Sequence, residues 1–255
     1  MAVFAHQDDV EFCAFHGIVE CYDNADKGFH AVIVCDGTNS SRAGKYANYT
    51  NEQMITSRAI EQETASKIGR YTSLDQFKYP SAEIMDKNNS NVVQDIYNAL
   101  VKVKPEVVYT HNLADKHNTH VAVVLRLISA IRMMLPQDRP QVVYGCEMWR
   151  GLDWLCESDK VVLDVSKNRE LAWELFNVFE SQIAGGKNYA KGVCGRCVAN
   201  AAFDKSHALD TLSHVTYAMD LTPLIKNDKL CPAEFTKDYI NRFECDVLTK
   251  INAFV

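Results

Sequence analysis

Four consecutive polar residues, His6-Gln7-Asp8-Asp9, follow a short apolar run from Met1 to Phe4. The run reads as the end of a buried strand. An imidazole and two adjacent carboxylates at such a place are rarely buried unless they are paired or hold a metal. His6 and Asp9 offer a nitrogen and an oxygen three residues apart, a donor pair that suits zinc. Asp8 lies between them and could face the attacking water instead of the ion. A structural reading competes: Asp8 and Asp9 would cap the next helix and favour its positive end.

A second polar cluster runs from Thr110 to His120 and holds three of the chain's eight histidines, His111, His117 and His120. His117 and His120 are three apart at a predicted helix start and project from one face. If this loop lies beside the first, His6, Asp9 and His120 make three ligands and leave a fourth position for water, the catalytic arrangement. A divalent ion there polarises a carbonyl and acidifies water. Asp8 would take the water's proton, and His117 would stabilise an oxyanion or protonate a leaving amine. The chemistry is metal-assisted amide hydrolysis. Surface or capping histidines are the alternative.

The elements that must position these loops alternate. Helical spacing predicts helices over Val10–Ala25, Asn51–Gly69, Asn91–Lys104, His117–Leu135 and Arg169–Gln182. Apolar runs predict strands over Phe29–Cys35, Tyr71–Phe77, Glu106–His111, Gln141–Tyr144 and Lys160–Asp164. The fold expected is α/β: an open, mostly parallel Rossmann-like sheet with helices on both faces. Sites in such folds form outside the carboxyl ends of the strands, where His6, Asp36 and His111 fall. One domain over 1–255 is expected, with a core over about 1–182 and a less regular C-terminal elaboration over about 183–255. Gly185-Gly186 and the Cys194-Gly195-Arg196-Cys197 stretch read as loop.

Bulk properties narrow the function classes. The 255 residues carry a formal charge of −6 and no strongly basic run, which argues against nucleic acid or an anionic membrane surface as partner. No apolar run is long enough to span a bilayer and no secretory signal is visible. The nine cysteines sit mostly singly in apolar segments, as reduced thiols of a cytoplasmic protein do. No Gly-x-Gly-x-x-Gly follows the first strand, so a dinucleotide site is not indicated. Asp36-Gly37-Thr38-Asn39 either lines the pocket or is an ordinary turn. Trp149, Trp154 and Tyr189 could stack on a sugar ring or serve the core. Ser181-Gln182 carries no assigned role, and homo-oligomer formation is left open.

The order and spacing of three motifs resemble the LmbE-like, or PIG-L, family of zinc-dependent N-acetylglucosaminyl deacetylases. They are Ala5-His-Gln-Asp-Asp9, then Arg58-Ala-Ile-Glu61 with Ala65 and Ile68-Gly69, then Asp115-Lys-His117-Asn-Thr-His120. The resemblance spans about residues 1 to 150. It implies His6, Asp9 and His120 on zinc, with iron also compatible with such a donor set. It further implies Asp8 as general base, His117 as the assisting group and Arg58 as a contact to a sugar hydroxyl. The expected activity is removal of acetyl from an N-acetylated amino sugar or glycoconjugate. Another N-acyl amine as substrate, or a catalytically weak, metal-retaining carbohydrate-binding protein, are the alternatives. The sequence departs from the family at Gln7 (Pro in the family), Val10 (acidic) and Thr119 (Asp). That Asp would orient the neighbouring histidine, a partner worth about 10–100-fold in metal affinity or activity.

Overall fold

The computed structural model describes residues 1–205 and 207–255. The chain runs β1 (Ala2–Phe4), α1 (Asp9–Cys13), α2 (Phe15–Tyr22), β2 (His30–Cys35), α3 (Asn51–Ile68), β3 (Ser73–Tyr79), α4 (Ser81–Met85), α5 (Asn91–Val103) and β4 (Val107–His111). It continues through α6 (Asn118–Met133), β5 (Val142–Cys146), β6 (Val161–Asp164), α7 (Arg169–Phe176), α8 (Glu180–Ala184), α9 (Tyr189–Phe203), β7 (Val215–Asp220), α10 (Thr222–Lys226) and α11 (Pro232–Asn252). Seven strands form one sheet in the order β3-β2-β1-β4-β5-β7-β6. Strands β3 through β5 pair in parallel, and β7 runs antiparallel to both β5 and β6.

The short β1 is central because its three residues are buried on both faces. Val3 packs with Val32, Val108, Ile96 and Leu127 under α5 and α6. Ala2 and Phe4 pack with Ala31, Ile33, Phe12 and Leu175 under α1 and α7. Alternation along the strand thus feeds two helix layers, the α/β arrangement expected. The sheet's axis of reversal lies between β1 and β4, which both end at the site.

Four local expectations differ from the structure. The helix expected over Val10–Ala25 is two pieces, because Ala14 leaves helical geometry at φ −113, ψ 21. The turn aims α2 closely at the sheet: a Cβ on Gly17 would lie 2.6 Å from the Tyr109 ring and 2.9 Å from that of Phe29. The helix expected over Arg169–Gln182 also splits, at Asn177, whose Nδ2 donates to Trp173 O at 2.7 Å and so competes with the helical ladder. Cys194 and Cys197 lie inside α9 and not in a loop, as free thiols. Gly192 and Gly195 weaken that helix in sequence but meet nothing within 4 Å. Finally, β7 inserts between β5 and β6, so part of the stretch 183–255 belongs to the sheet and does not merely elaborate it.

Glu11, on α1, is fully buried beneath the site. Its Oε1 accepts from Tyr71 Oη at 2.6 Å and from Gln62 Nε2 at 2.8 Å, while Oε2 has no partner. Burial raises its pKa to about 7 against these two hydrogen bonds. A folded value above the unfolded one means that stability is complete below about pH 4.5 and is lost as pH rises through 7. Glu11→Gln keeps the acceptor and removes the buried charge. The variant should gain up to about 3 kcal/mol at pH 8 relative to pH 5. Melting curves at both pH values check this, and an equal shift at the two would refute it.

Candidate metal centre

The carboxyl ends of β1, β2, β4 and β5 lead into the loops that line a single cavity of about 700 Å³. Its floor holds His6, Asp8, Asp9 and His120, and His117 stands at its edge. His6 Nδ1 lies 3.2 Å from Asp9 Oδ2 and 3.1 Å from His120 Nε2. His120 Nε2 lies 3.4 Å from Asp9 Oδ2. Three donor atoms thus form a nearly equilateral triangle. Tetrahedral zinc with bonds near 2.1 Å has ligand–ligand edges of roughly 3.4 Å, so the triangle is close to one face of that polyhedron. His6, Asp9 and His120 therefore fit a metal ion.

The electrostatics agree with the geometry. Burial opposes ionisation of Asp9, but the imidazoles of His120, His111 and His6 outweigh it and hold the carboxyl below the usual carboxylate range. Burial lowers His6, yet its contacts with Asp9 and Cys35 prevail and raise it to about 10. Asp9 and His6 thus favour each other's charged form.

A second triad, Asp9, His111 and His120, shares two of these residues. His111 is spoken for. Its Nε2 accepts the Ala5 N–H at 2.8 Å, and its ring stacks on His120 at 3.8 Å. It backs the site from the end of β4 and does not line the cavity. His6, His117 and His120 form another grouping, with ligand atoms within 4.8 Å of one another. His117 is its exposed member, at the edge of the cavity.

Asp115 brings a carboxylate to the side of His120 that Thr119 leaves without one. Its carboxylate lies 3.2 Å from His120 Nδ1, on the side of the ring away from the triangle, as an ionic contact without hydrogen-bond alignment. The same Oδ1 accepts the His117 N–H at 2.8 Å. A carboxylate behind a ligating imidazole fixes its tautomer and basicity.

Asp8 occupies a backbone conformation that L-residues rarely adopt, φ 93 and ψ −30. Such strain persists only where the surroundings impose it. Here Gln62 Oε1 accepts the Asp8 N–H at 3.2 Å, and Arg58 Nη2 donates to Asp8 Oδ2 at 3.0 Å. Burial raises the Asp8 carboxyl to about 6 despite the pull of Arg58. Asp8 is not a conventional cap, since it makes no side-chain bond to the first turn of α1.

Arg58, expected to contact a sugar hydroxyl, lines the cavity and is engaged by the chain's own groups. It is 1% exposed, and it donates to Asp8, to the Gln7 carbonyl and to Glu61 Oε2 at 3.0 Å. Glu61 in turn accepts the Ser181 N–H at 2.6 Å and the Ser181 hydroxyl at 2.8 Å. Sequence reasoning gave no role to Glu61, Gln62 or Ser181. The i, i+3 and i, i+4 spacing from Arg58 on α3 was the available signal for the first two. Gly37, at φ +81, lets the β2 loop pass this layer: a Cβ there would lie 2.7 Å from Gln7 Oε1.

A sequence profile described as PIG-L, GlcNAc-PI de-N-acetylase, matches residues 1–131, half of the chain and every residue of the triangle. The chain belongs to the PIG-L family. No curated protein matches it in sequence. Solved structures share the fold at low identity. The N,N'-diacetylchitobiose deacetylase of Pyrococcus horikoshii superposes with a TM-score of 0.68 at 13% identity, covering 89% of this chain and 84% of that one. A deacetylase of teicoplanin biosynthesis gives 0.63 at 14%, covering 86% and 96%. The 4-carboxy-2-hydroxymuconate hydratase of Pseudomonas putida gives 0.62 at 16%, covering 86% and 94%. Structures of the PIG-L fold thus include a hydratase as well as deacetylases, and the reaction has to be argued from the site. Among the described residues no helix is long and apolar enough to cross a membrane.

Proposed function

We propose that this protein is a metal-dependent N-deacetylase acting on an N-acetylated amino sugar or glycoconjugate. The observation that carries the reading is the triangle of His6, Asp9 and His120 with Asp8 beside it, at the floor of an open cavity. His6, Asp9 and His120 would hold zinc or, with the same donors, iron. When bound, the ion supplies Lewis-acid polarisation of the amide carbonyl and a lower pKa for water.

The chain's own residues account for the proton. Asp8, held by Arg58, accepts the proton of the water that attacks the carbonyl carbon. The C–N bond then breaks, and that proton passes to the departing amine nitrogen, giving acetate and a free amine. Burial and the neighbouring His120 ring hold His117 below the ordinary histidine value, so it is uncharged at neutral pH. A neutral imidazole can still donate a hydrogen bond to the developing oxyanion. Arg58 acts through Asp8 as a positioning residue. A substrate of another N-acyl class would use the same groups, whereas a weak binding protein would leave the strained Asp8 backbone without purpose.

Acetate release across a panel of N-acetylated sugars, with metal content measured on the same sample, tests the proposal. Turnover that tracks metal loading supports it. A fully loaded protein inert across the panel would leave the carbohydrate-binding reading in its place. The base must be deprotonated, so kcat/KM should fall as pH drops through about 6, the value to which burial raises Asp8. A bound cation can only draw that value down. An acid limb centred well above pH 6 in a pH–rate profile would therefore assign the base to another group.

A further inference from the structure

The wall of the cavity is divided by chemistry. The strand order β2-β1-β4-β5 puts the loops after β2 and β5 on opposite sides of the donors that follow β1 and β4. The β2 side brings Asn39, Ser40 and Ser41, an amide and two hydroxyls. The β5 side brings Met148 and Trp149, joined by Phe12 from α1 and Tyr189 from α9. Trp149 and Tyr189 meet at 6.2 Å between ring centroids and at 83°, and Tyr189 meets Phe12 at 5.7 Å. Perpendicular contact is a preferred aromatic geometry. It covers at most one face of each ring, and Trp149 remains 38% exposed. Phe12 rests in turn on Phe176 and Phe179, so the aromatic row continues into the core. Trp154, the other tryptophan of that stretch, packs on the core instead.

The loop that carries Trp149 is held in an unfavourable shape. Leu152, fully buried, adopts φ 63, a region that bulky residues rarely enter. Such a conformation persists only where the surroundings impose it, and it clusters at functional sites. Two groups impose it here. Glu147, buried at the end of β5 and outside the cavity lining, accepts the Leu152 N–H on Oε2 at 2.8 Å and closes the loop on itself. Arg196, exposed on α9, donates to the Met148 carbonyl. Neither contact involves the triangle or Asp8. Both fix the stretch that bears Trp149.

A pyranose ring matches such a pair of walls, with a C–H face for an indole and a rim of hydroxyls for polar groups. Resting on the deacetylase reading above, we propose that Trp149 is a specificity-determining residue that takes the C–H face of a substrate sugar ring, and that Glu147 and Arg196 position it.

The test compares the methyl glycoside of N-acetylglucosamine with N-(2-hydroxyethyl)acetamide, which carries the same amide and no ring. With the metal-loaded protein, Trp149→Ala should raise KM for the glycoside by about tenfold, the scale of one aromatic contact. The ringless amide should not respond, and Trp149→Phe should restore most of the loss. Glu147→Ala should raise the glycoside KM severalfold with kcat and metal content kept, because it loosens only the loop. Glu147→Gln, whose amide oxygen still accepts the Leu152 N–H, should behave as the parent. Arg196→Ala, at an exposed position, gives the same reading if Glu147→Ala does not fold. An unchanged KM in Trp149→Ala, or an equal change for both amides, would overturn the stacking role. Glu147→Gln as impaired as Glu147→Ala, or an Arg196→Ala that leaves KM unchanged, would overturn the positioning role. Calorimetric binding of the deacetylated product, methyl glucosaminide, separates these failures from that of the reaction. If neither amide is hydrolysed but the product binds the parent more tightly than Trp149→Ala, the stacking face stands and the deacetylase reading falls. Equal binding, or none, removes the stacking face whatever the turnover.

Discussion

An Asp8→Asn variant should retain its metal and lose between about 100-fold and 10,000-fold in kcat, the usual contribution of a positioned general base. Asparagine matches aspartate in shape and is, with it, among the residues most at home at positive φ, so the φ 93 backbone survives. The amide can still accept from Arg58 Nη2, and Glu61 continues to pair that guanidinium. The loss is then of basicity alone. Acetate release and metal content measured together decide the matter. Unchanged turnover with full metal would assign the proton transfer to a group other than Asp8. Loss of metal along with turnover would show that Asp8 is part of the ion's support.

The second large effect is on metal retention. His120→Gln removes one corner of the triangle and leaves the Asp115 carboxylate buried without its imidazole. Metal content should fall far below one equivalent, and activity with it. Asp115→Asn is the finer probe. It keeps all three donors and alters only the group behind one of them, and should weaken metal affinity by about 10–100-fold. Competition with a chelator reads both. Equal affinity in Asp115→Asn and the parent would show that the 3.2 Å contact does not tune His120. A Thr119→Asp change should then recover affinity, whereas with Asp115 in its role it should add little.

Much of this site was readable before any coordinates. The His6, Asp9 and His120 set follows from two polar clusters at strand ends and from the rule that such ends converge. What escaped was the layer beneath. His111 ends an apolar strand and looks, in one dimension, as good a ligand as His120. Only the register of β1 against β4 brings its Nε2 to the Ala5 N–H. Arg58 was legible as a basic residue of a motif but not as a buried one, because burial of a guanidinium depends on Glu61 one turn along α3 and Asp8 from the loop before α1 meeting it together. The Tyr71–Glu11–Gln62 chain spans 60 residues, and no local spacing reports it. The broken helices at Ala14 and Asn177 were hidden for a related reason. Apolar periodicity continues across both, while close packing of α2 on the sheet accompanies the first break and the Asn177 side chain, bonded to the Trp173 carbonyl, the second. The antiparallel β7 was missed because the last third lacks the strand–helix rhythm that made the first two thirds plain.

The placement of β7 sets an order on how the chain can be made. β6 ends at Asp164 but, among the described residues, its one strand neighbour is β7, which is complete at Asp220. At roughly 5–20 residues per second, a ribosome needs several seconds to supply those last residues. During that interval β5 presents an open edge, and β6 waits with nothing to join. The parallel half of the sheet, with every donor of the triangle, has by then emerged. The nascent protein therefore passes through a stage that holds its ion-binding groups but lacks a closed flank, and strand-edge association is the hazard a chaperone would meet there.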